Sequence, residues 1–219
     1  MTFCLDTKII KPDTNKDIKN IVVLLHGYGG DGNDIAQVTL NWKRFLPNTL
    51  FICPNAPETC SINPSGFQWF DLSRDDEEFI LNESKKNELI LKKFLGEIKE
   101  KFSLPNSKIC ISGFSQGCMM SINVGLSSDD KYSGVLGFSG KIINKKDLSK
   151  RINFKPEIML IHGENDEIVS CVNSLEAKDF LERNKVPVKL EIIKNCGHHI
   201  PIEASSIGLK FIKKILNIN

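Results

Sequence analysis

Residues 108–117 read KICISGFSQG. Lys108–Ser112 has the short apolar, β-branched run of a strand, and the residues from Ser115 to Ser127 carry a helical pattern. Between them, Gly113-Phe114-Ser115-Gln116-Gly117 places a serine between two glycines, with one residue intervening on each side. In a strand-turn-helix context this Gly-x-Ser-x-Gly spacing makes a tight, strained turn, with glycines where a side chain would clash with neighbouring backbone. The hydroxyl then projects beyond the end of the strand, over a helix N-terminus with partial positive charge. Outside that context the same serine would be an ordinary N-cap.

Working outward, five more apolar runs resemble this strand: Ile21–Leu25, Leu50–Cys53, Gly134–Phe138, Ile158–Ile161 and Val188–Ile193. Most are continuous instead of alternating, as expected of strands covered on both faces. Helical patterns separate them near Asp34–Leu46, Glu77–Phe102, Ser115–Ser127, Asn173–Asn184 and Glu203–Leu216, with Asn33-Asp34 and Ser170 as expected N-caps. Such alternation predicts an α/β fold with a mostly parallel sheet and helices on both faces. An antiparallel strand within Thr2–Lys11 is expected to extend one edge. No repeat, low-complexity tract or Gly/Ser linker divides the chain, so residues 1–219 are expected to form a single domain.

The formal charge of +2 gives no bulk electrostatic case for a nucleic-acid partner. Asp6 and Lys8 interrupt what a secretory leader would need to keep apolar, and Ile21–Leu25 is far too short to cross a bilayer, so no stable membrane insertion is expected. Seven cysteines, with no Cys-x-x-Cys pair and no Cys/His metal spacing, read as free thiols in a reducing cytoplasm with no metal.

In sheets of this kind chemistry collects beyond the carboxyl ends of the strands. A serine hydroxyl there needs a base, and the base needs a group to orient it. After Ser115 the next strand leads into His162-Gly163-Glu164-Asn165-Asp166-Glu167. Asp166 is favoured because Ile168 and Val169 press it inward, while spacing alone leaves Glu164 open. The last strand delivers Asn195-Cys196-Gly197-His198-His199. Gly197 permits a sharp turn, and His198, directly after it, is placed to reach back to Ser115; His199 reads as a rim residue. His26 and His162, each in a His-Gly pair at a strand end, read as structural. Cys118 lies inside the helix after the turn and reads as packing.

Acyl transfer also needs donors for a developing oxyanion. The N–H of Gln116, following the serine, is one candidate. The glycine-rich loop His26-Gly27-Tyr28-Gly29-Gly30-Asp31-Gly32 offers the N–H of Tyr28 as the other. As a phosphate loop this stretch fails, since it lacks the Gly-Lys-Ser/Thr ending.

Together these residues resemble the phospholipase/carboxylesterase family of α/β-hydrolases, which includes the acyl-protein thioesterases, and its bacterial carboxylesterase branch most closely. The resemblance runs from about Ile21 to the C-terminus through LLHGYGGDG (24–32), FICPNAP (51–57), QWFDL (68–72), GFSQG (113–117), HGENDEIV (162–169) and CGHHIP (196–201). It implies an α/β-hydrolase fold and a Ser115–Asp166–His198 triad. Its oxyanion hole would come from Tyr28 and Gln116, and it would hydrolyse carboxylic esters or thioesters with no metal or organic cofactor. The family's Gly-His-x-Ile pattern falls on His198. Cys118 and Cys196 depart from the residues common at those places.

The chain is too short for a large lid domain, so the segment Thr59–Phe79 is expected to stand over an open, shallow site. Trp69, Phe70, Ile168 and Val169 are expected to wall it for acyl chains, with plain packing the competing role for Trp69. An apolar rim of that kind also suits a homodimer. The expected substrates are small-molecule esters of small to medium acyl chains. The alternatives are a thioesterase acting on acylated proteins or metabolites and, in another class, a catalytically silent binding protein on a hydrolase scaffold.

Overall fold

The computed structural model describes residues 3–12, 17–74 and 76–218. Its strands, in chain order, are β1 (Thr7–Ile10), β2 (Asn20–Leu25), β3 (Thr49–Pro54), β4 (Glu58–Thr59), β5 (Phe67–Gln68), β6 (Ile109–Phe114), β7 (Gly134–Phe138), β8 (Glu157–Gly163) and β9 (Val188–Ile193). Its α-helices are α1 (Gly32–Ala36), α2 (Glu77–Phe102), α3 (Gln116–Ser127), α4 (Lys145–Ser149), α5 (Val172–Arg183) and α6 (Ile202–Ile215). Seven strands form one sheet in the order β1-β3-β2-β6-β7-β8-β9, parallel except for β1, which pairs antiparallel with β3. β1 is the expected edge strand; Thr2, where that expectation began, lies outside the described residues. The chain leaves β2 for β3 on one side and returns to place β6 on the other. The sheet therefore has its switch point between β2 and β6, where open α/β sheets hold their ligands.

The continuous apolar runs follow from two covered faces. Along β2, Ile21, Val23 and Leu25 join one core with Leu91, Phe94, Leu95 and Ile98 of α2. Their neighbours Val22 and Leu24 point the other way, into a core with Phe211 and Ile212 of α6. β9 is the exception. As an edge strand it leaves Lys189, Glu191 and Ile192 exposed. Among the described residues no large separate domain stands beside this sheet, which is the α/β-hydrolase architecture expected.

The expected Asp34–Leu46 helix is a correction. The residues form the short α1 and two 3₁₀ turns, Gln37–Asn41 and Lys43–Phe45. Asp31, not Asn33-Asp34, caps α1: its carboxylate accepts from the Asp34 N–H while the Asp34 carboxylate accepts from the Asp31 N–H. The Thr39 hydroxyl donates to the Ala36 carbonyl at the point where the α-helix gives way. At the other expected cap, Ser170 Oγ is 3.4 Å from the Val172 N–H, but Cys171 is the residue flanking α5.

Candidate active site

The turn at Ser115 is as tight as its glycines suggest. Ser115 has φ 54° and ψ −117°, a left-handed strain of about 1–3 kcal/mol for a non-glycine residue. A Cβ on Gly113 would lie 2.2 Å from the Gly117 carbonyl carbon, and one on Gly117 would lie 2.2 Å from the Leu25 carbonyl oxygen. Neither position admits a side chain. The Ser115 N–H donates to the Phe138 carbonyl at 2.9 Å, pinning the turn to the neighbouring strand β7.

Asp166 lies beyond β8 and is buried. Its Oδ1 accepts from the N–H groups of Ile168 (3.0 Å) and Val169 (2.8 Å). Its Oδ2 accepts from His198 Nδ1 at 2.7 Å. Burial pushes this carboxyl up, but the His198 contact and the two backbone donors outweigh it and hold Asp166 below the usual carboxylate range. With its proton on Nδ1, His198 has Nε2 left to accept. Its ring packs on Phe114, the residue before Ser115, with centroids 4.7 Å apart. The imidazole thus lies against the residue that precedes the serine. Glu164 and Glu167 are exposed, and Glu164 accepts from the Asn195 N–H at 3.2 Å. His199 is exposed, near the Cys196 thiol instead of the carboxylate.

His162, assigned above to structure, turns out to touch the same carboxylate. Its Nε2 is 2.7 Å from the Val169 carbonyl and 3.2 Å from Asp166 Oδ2, while Nδ1 meets the Ser174 hydroxyl. Burial lowers its pKa, which keeps the ring neutral with Nε2–H as donor. The backbone bond was legible from a His-Gly pair at a strand end. The carboxylate contact needed the (i, i+4) reach from β8 into the following loop. His26 is likewise neutral and lowered by burial: Nδ1 donates to the Gly27 carbonyl, and Nε2 accepts from the Ala56 N–H. Cys118 packs beneath Gly137 and Gly140, its thiol pushed up by burial to about 12. It is no thiolate nucleophile.

Gln116 opens α3, so its N–H has no acceptor within the helix. The Tyr28 loop is closed by bonds from Gly29 N–H to the Phe67 carbonyl and from Gly30 N–H to the Gly27 carbonyl, and the Tyr28 N–H has no backbone acceptor among the described residues. The Gln116 side chain does a second job: Nε2 donates to the Phe70 carbonyl (2.7 Å) and Oε1 accepts from the Trp69 N–H (3.0 Å). Trp69 corrects an expectation. It is fully buried, its indole N–H donates to the His26 carbonyl at 3.0 Å, and it lines no part of the groove. It fastens the Thr59–Phe79 segment to the loop after β2. That segment carries the small β4–β5 ribbon, with Asp75 outside the described residues.

Phe70, Ile168 and Val169 do border a groove of about 320 Å³ that contains Ser115 and Gln116. Met119, Ile143 and Ile80, which no sequence signal singled out, add to its apolar lining. A second cavity of about 320 Å³ lies against His198 and Phe114, reaching to Val38 and Ile200. Tyr28 borders both. Among the described residues no group of three or more His, Cys, Asp or Glu is arranged to hold a metal ion, and no helix is long and apolar enough to cross a membrane.

A parallel sheet with a strained serine at its switch point, and an Asp–His pair from the last two strands beside it, defines an α/β-hydrolase. The family described as phospholipase/carboxylesterase matches residues 6–216, and the chain belongs to it. An esterase of known crystal structure, PE8, is similar at 33% identity and TM-score 0.91, over 97% of this chain and 99% of that one. Acyl-protein thioesterase 1 of Schizosaccharomyces pombe is 30% identical, over 99% of each chain. Acyl-protein thioesterase 1 homolog 1 of Dictyostelium discoideum is 29% identical over 205 residues, 89% of this chain and 90% of that one. The chain is a serine hydrolase of the esterase/thioesterase class.

Proposed function

We propose that Ser115, His198 and Asp166 form the catalytic triad, working through an acyl-enzyme. The observation that carries this is the 2.7 Å contact from His198 Nδ1 to a carboxylate already held by two N–H donors. That contact fixes the tautomer with Nε2 free to take a proton. His198 Nε2 removes the Ser115 hydroxyl proton as Oγ bonds to the substrate carbonyl carbon, and Asp166 stabilises the imidazolium without itself being protonated. The N–H groups of Tyr28 and Gln116 meet the oxyanion. On collapse the bond to the leaving oxygen or sulfur breaks, and that atom leaves with the imidazolium proton. Water then repeats the cycle on the Ser115 ester, releasing the carboxylic acid.

The groove past Phe70, Ile168 and Val169 takes the acyl chain. Its volume is at the lower end of the roughly 300–1,000 Å³ of small-molecule sites, which favours small to medium chains. Carboxylic esters are the main reading. The thioesterase names of two relatives favour thioesters as the second. The seven free cysteines fit a reducing, cytoplasmic setting. Ile168 at the groove and Val172 and Leu175 on α5 are exposed and fit a homodimer contact. The test compares p-nitrophenyl esters of rising chain length with acyl-thioesters of the same chains. A kcat/KM optimum at short to medium esters is expected. A clear preference for thioesters at every length would reverse the order of the two readings.

A further inference from the structure

Two cavities of nearly equal size flank the serine turn, and they differ in which reacting group each adjoins. The groove of Phe70 and Ile143 contains Ser115 and Gln116 but not His198. The cavity of Val38 and Ile200 contains His198 but not Ser115. General-acid chemistry assigns them different halves of the substrate. The protonated imidazole must lie within hydrogen-bond reach of the departing atom, so that atom and what it carries belong on the His198 side. The carbonyl oxygen belongs at the Gln116 N–H, and the acyl chain continues past it.

We propose that the Val38 cavity is a leaving-group site that takes compact, apolar, uncharged alcohols or thiols and disfavours anionic ones. This rests on the triad assignment above. Ile35, Val38, Phe114 and Ile200 provide apolar lining, and the histidines apart, Asp34 is the charged side chain among the described lining residues. Its carboxylate is fixed in place by the Asp31 N–H, with the Asp31 carboxylate next to it in the same capping box. A phosphate or carboxylate on the leaving group would enter a cavity with an anion already in its wall and no lysine or arginine among its described lining residues. The acyl groove differs here, since Lys141 and Glu77 both border it.

Butyrate esters of methanol, benzyl alcohol and 4-carboxybenzyl alcohol test the charge and size of this site. Acylation sets kcat/KM, so leaving-group preference reads directly in that ratio. Wild type is expected to favour the benzyl over the carboxybenzyl ester by about ten-fold or more, and Asp34→Asn, which keeps the cap, narrows that ratio about three-fold or more. Val38→Trp is expected to lower the benzyl-to-methyl ratio about five-fold or more while the octanoate-to-butyrate ratio of the methyl esters moves less than about two-fold. Ile143→Trp should do the converse. Equal handling of the neutral and anionic esters, or a Val38→Trp effect on chain length in place of leaving group, overturns the proposal. Absence of turnover by wild type of both the methyl ester and the matching butyryl thioester would strike the triad reading itself, and that pair of substrates distinguishes it from failure of the cavity assignment.

Discussion

Two regions of this molecule bury carboxylates, and they handle them in opposite ways. Between α2 and α4, Glu88 is 3% exposed and meets Arg151 (2.9 Å), Lys92 (3.0 Å) and the Ser127 hydroxyl (2.6 Å). Arg151 also reaches Asp147 at 2.7 Å, which holds Lys85. Full positive charges close that cluster. Asp166 is as deeply buried but faces two imidazoles and two backbone N–H groups. One of those imidazoles, His198, has a ring nitrogen without a hydrogen-bond partner among the described residues, beside a cavity. A depressed carboxyl pKa is common to both regions. On the triad proposal, what separates the reactive site from the structural ion cluster is a ring nitrogen left to accept a proton beside a cavity.

Mutation should break the two regions differently. The largest effect is expected from Ser115→Ala and His198→Ala, each lowering kcat about 10⁴-fold or more with little change in thermal melting. Asp166→Asn should fall in the same range, because it removes the tautomer control. Arg151→Leu should do the reverse: about 3 kcal/mol less stability in urea titration, since Glu88 loses one of its partners inside the fold, with turnover per folded molecule retained. Comparable loss of turnover in Arg151→Leu would erase the distinction between the regions.

Acidification probes the same contrast through the neutral histidines. His26 and His162 have folded pKa values below the ordinary 6.5, so the unfolded chain binds protons that the folded chain refuses. Stability should therefore be highest above about pH 6.5 and fall as pH drops from there toward the folded values. The depressed carboxyls Glu88, Asp147 and Asp166 contribute stability that is lost only at lower pH, below about 4.5 to 3.8. Urea midpoints measured from pH 8 to pH 4 should show the two falls separately. A flat profile between pH 7 and pH 5 would mean that the histidines are not held neutral.

Trp69→Phe removes the indole donor to the His26 carbonyl and should cost about 1 kcal/mol of stability. Acyl-chain preference should stay put. A shifted chain-length profile would return Trp69 to the groove wall. The smallest effect is expected from His199→Ala, which should keep at least about a tenth of wild-type kcat/KM, since an exposed ring away from Asp166 contributes little to the chemistry.

The sequence carried the sheet, the serine turn and the placement of Asp166 and His198 just past strand ends, from which the proposed triad is drawn, because each depends on local spacing: apolar runs, glycines at fixed offsets, residues just past strand ends. It did not carry what depends on the approach of distant segments. Trp69 sits in an apolar-aromatic stretch that reads equally well as groove or core, and only the bond to His26 decides. The second partner of Asp166 was invisible because a His-Gly pair says nothing of a carboxylate four residues on. The Asp34–Leu46 periodicity suggested a continuous helix, but Asp31 sets the start of α1 and the Thr39 hydroxyl bonds the Ala36 carbonyl where α1 gives way to two 3₁₀ turns. The pairing of Glu88 with Arg151 spans 63 positions, which no local pattern encodes.

The most direct test of the central claim is covalent labelling with a fluorophosphonate, followed by peptide mapping. One adduct per chain on Ser115, lost in Ser115→Ala while the variant keeps the wild-type melting profile, is the predicted result. No adduct on the folded wild type, or an adduct that persists elsewhere in Ser115→Ala, would contradict it.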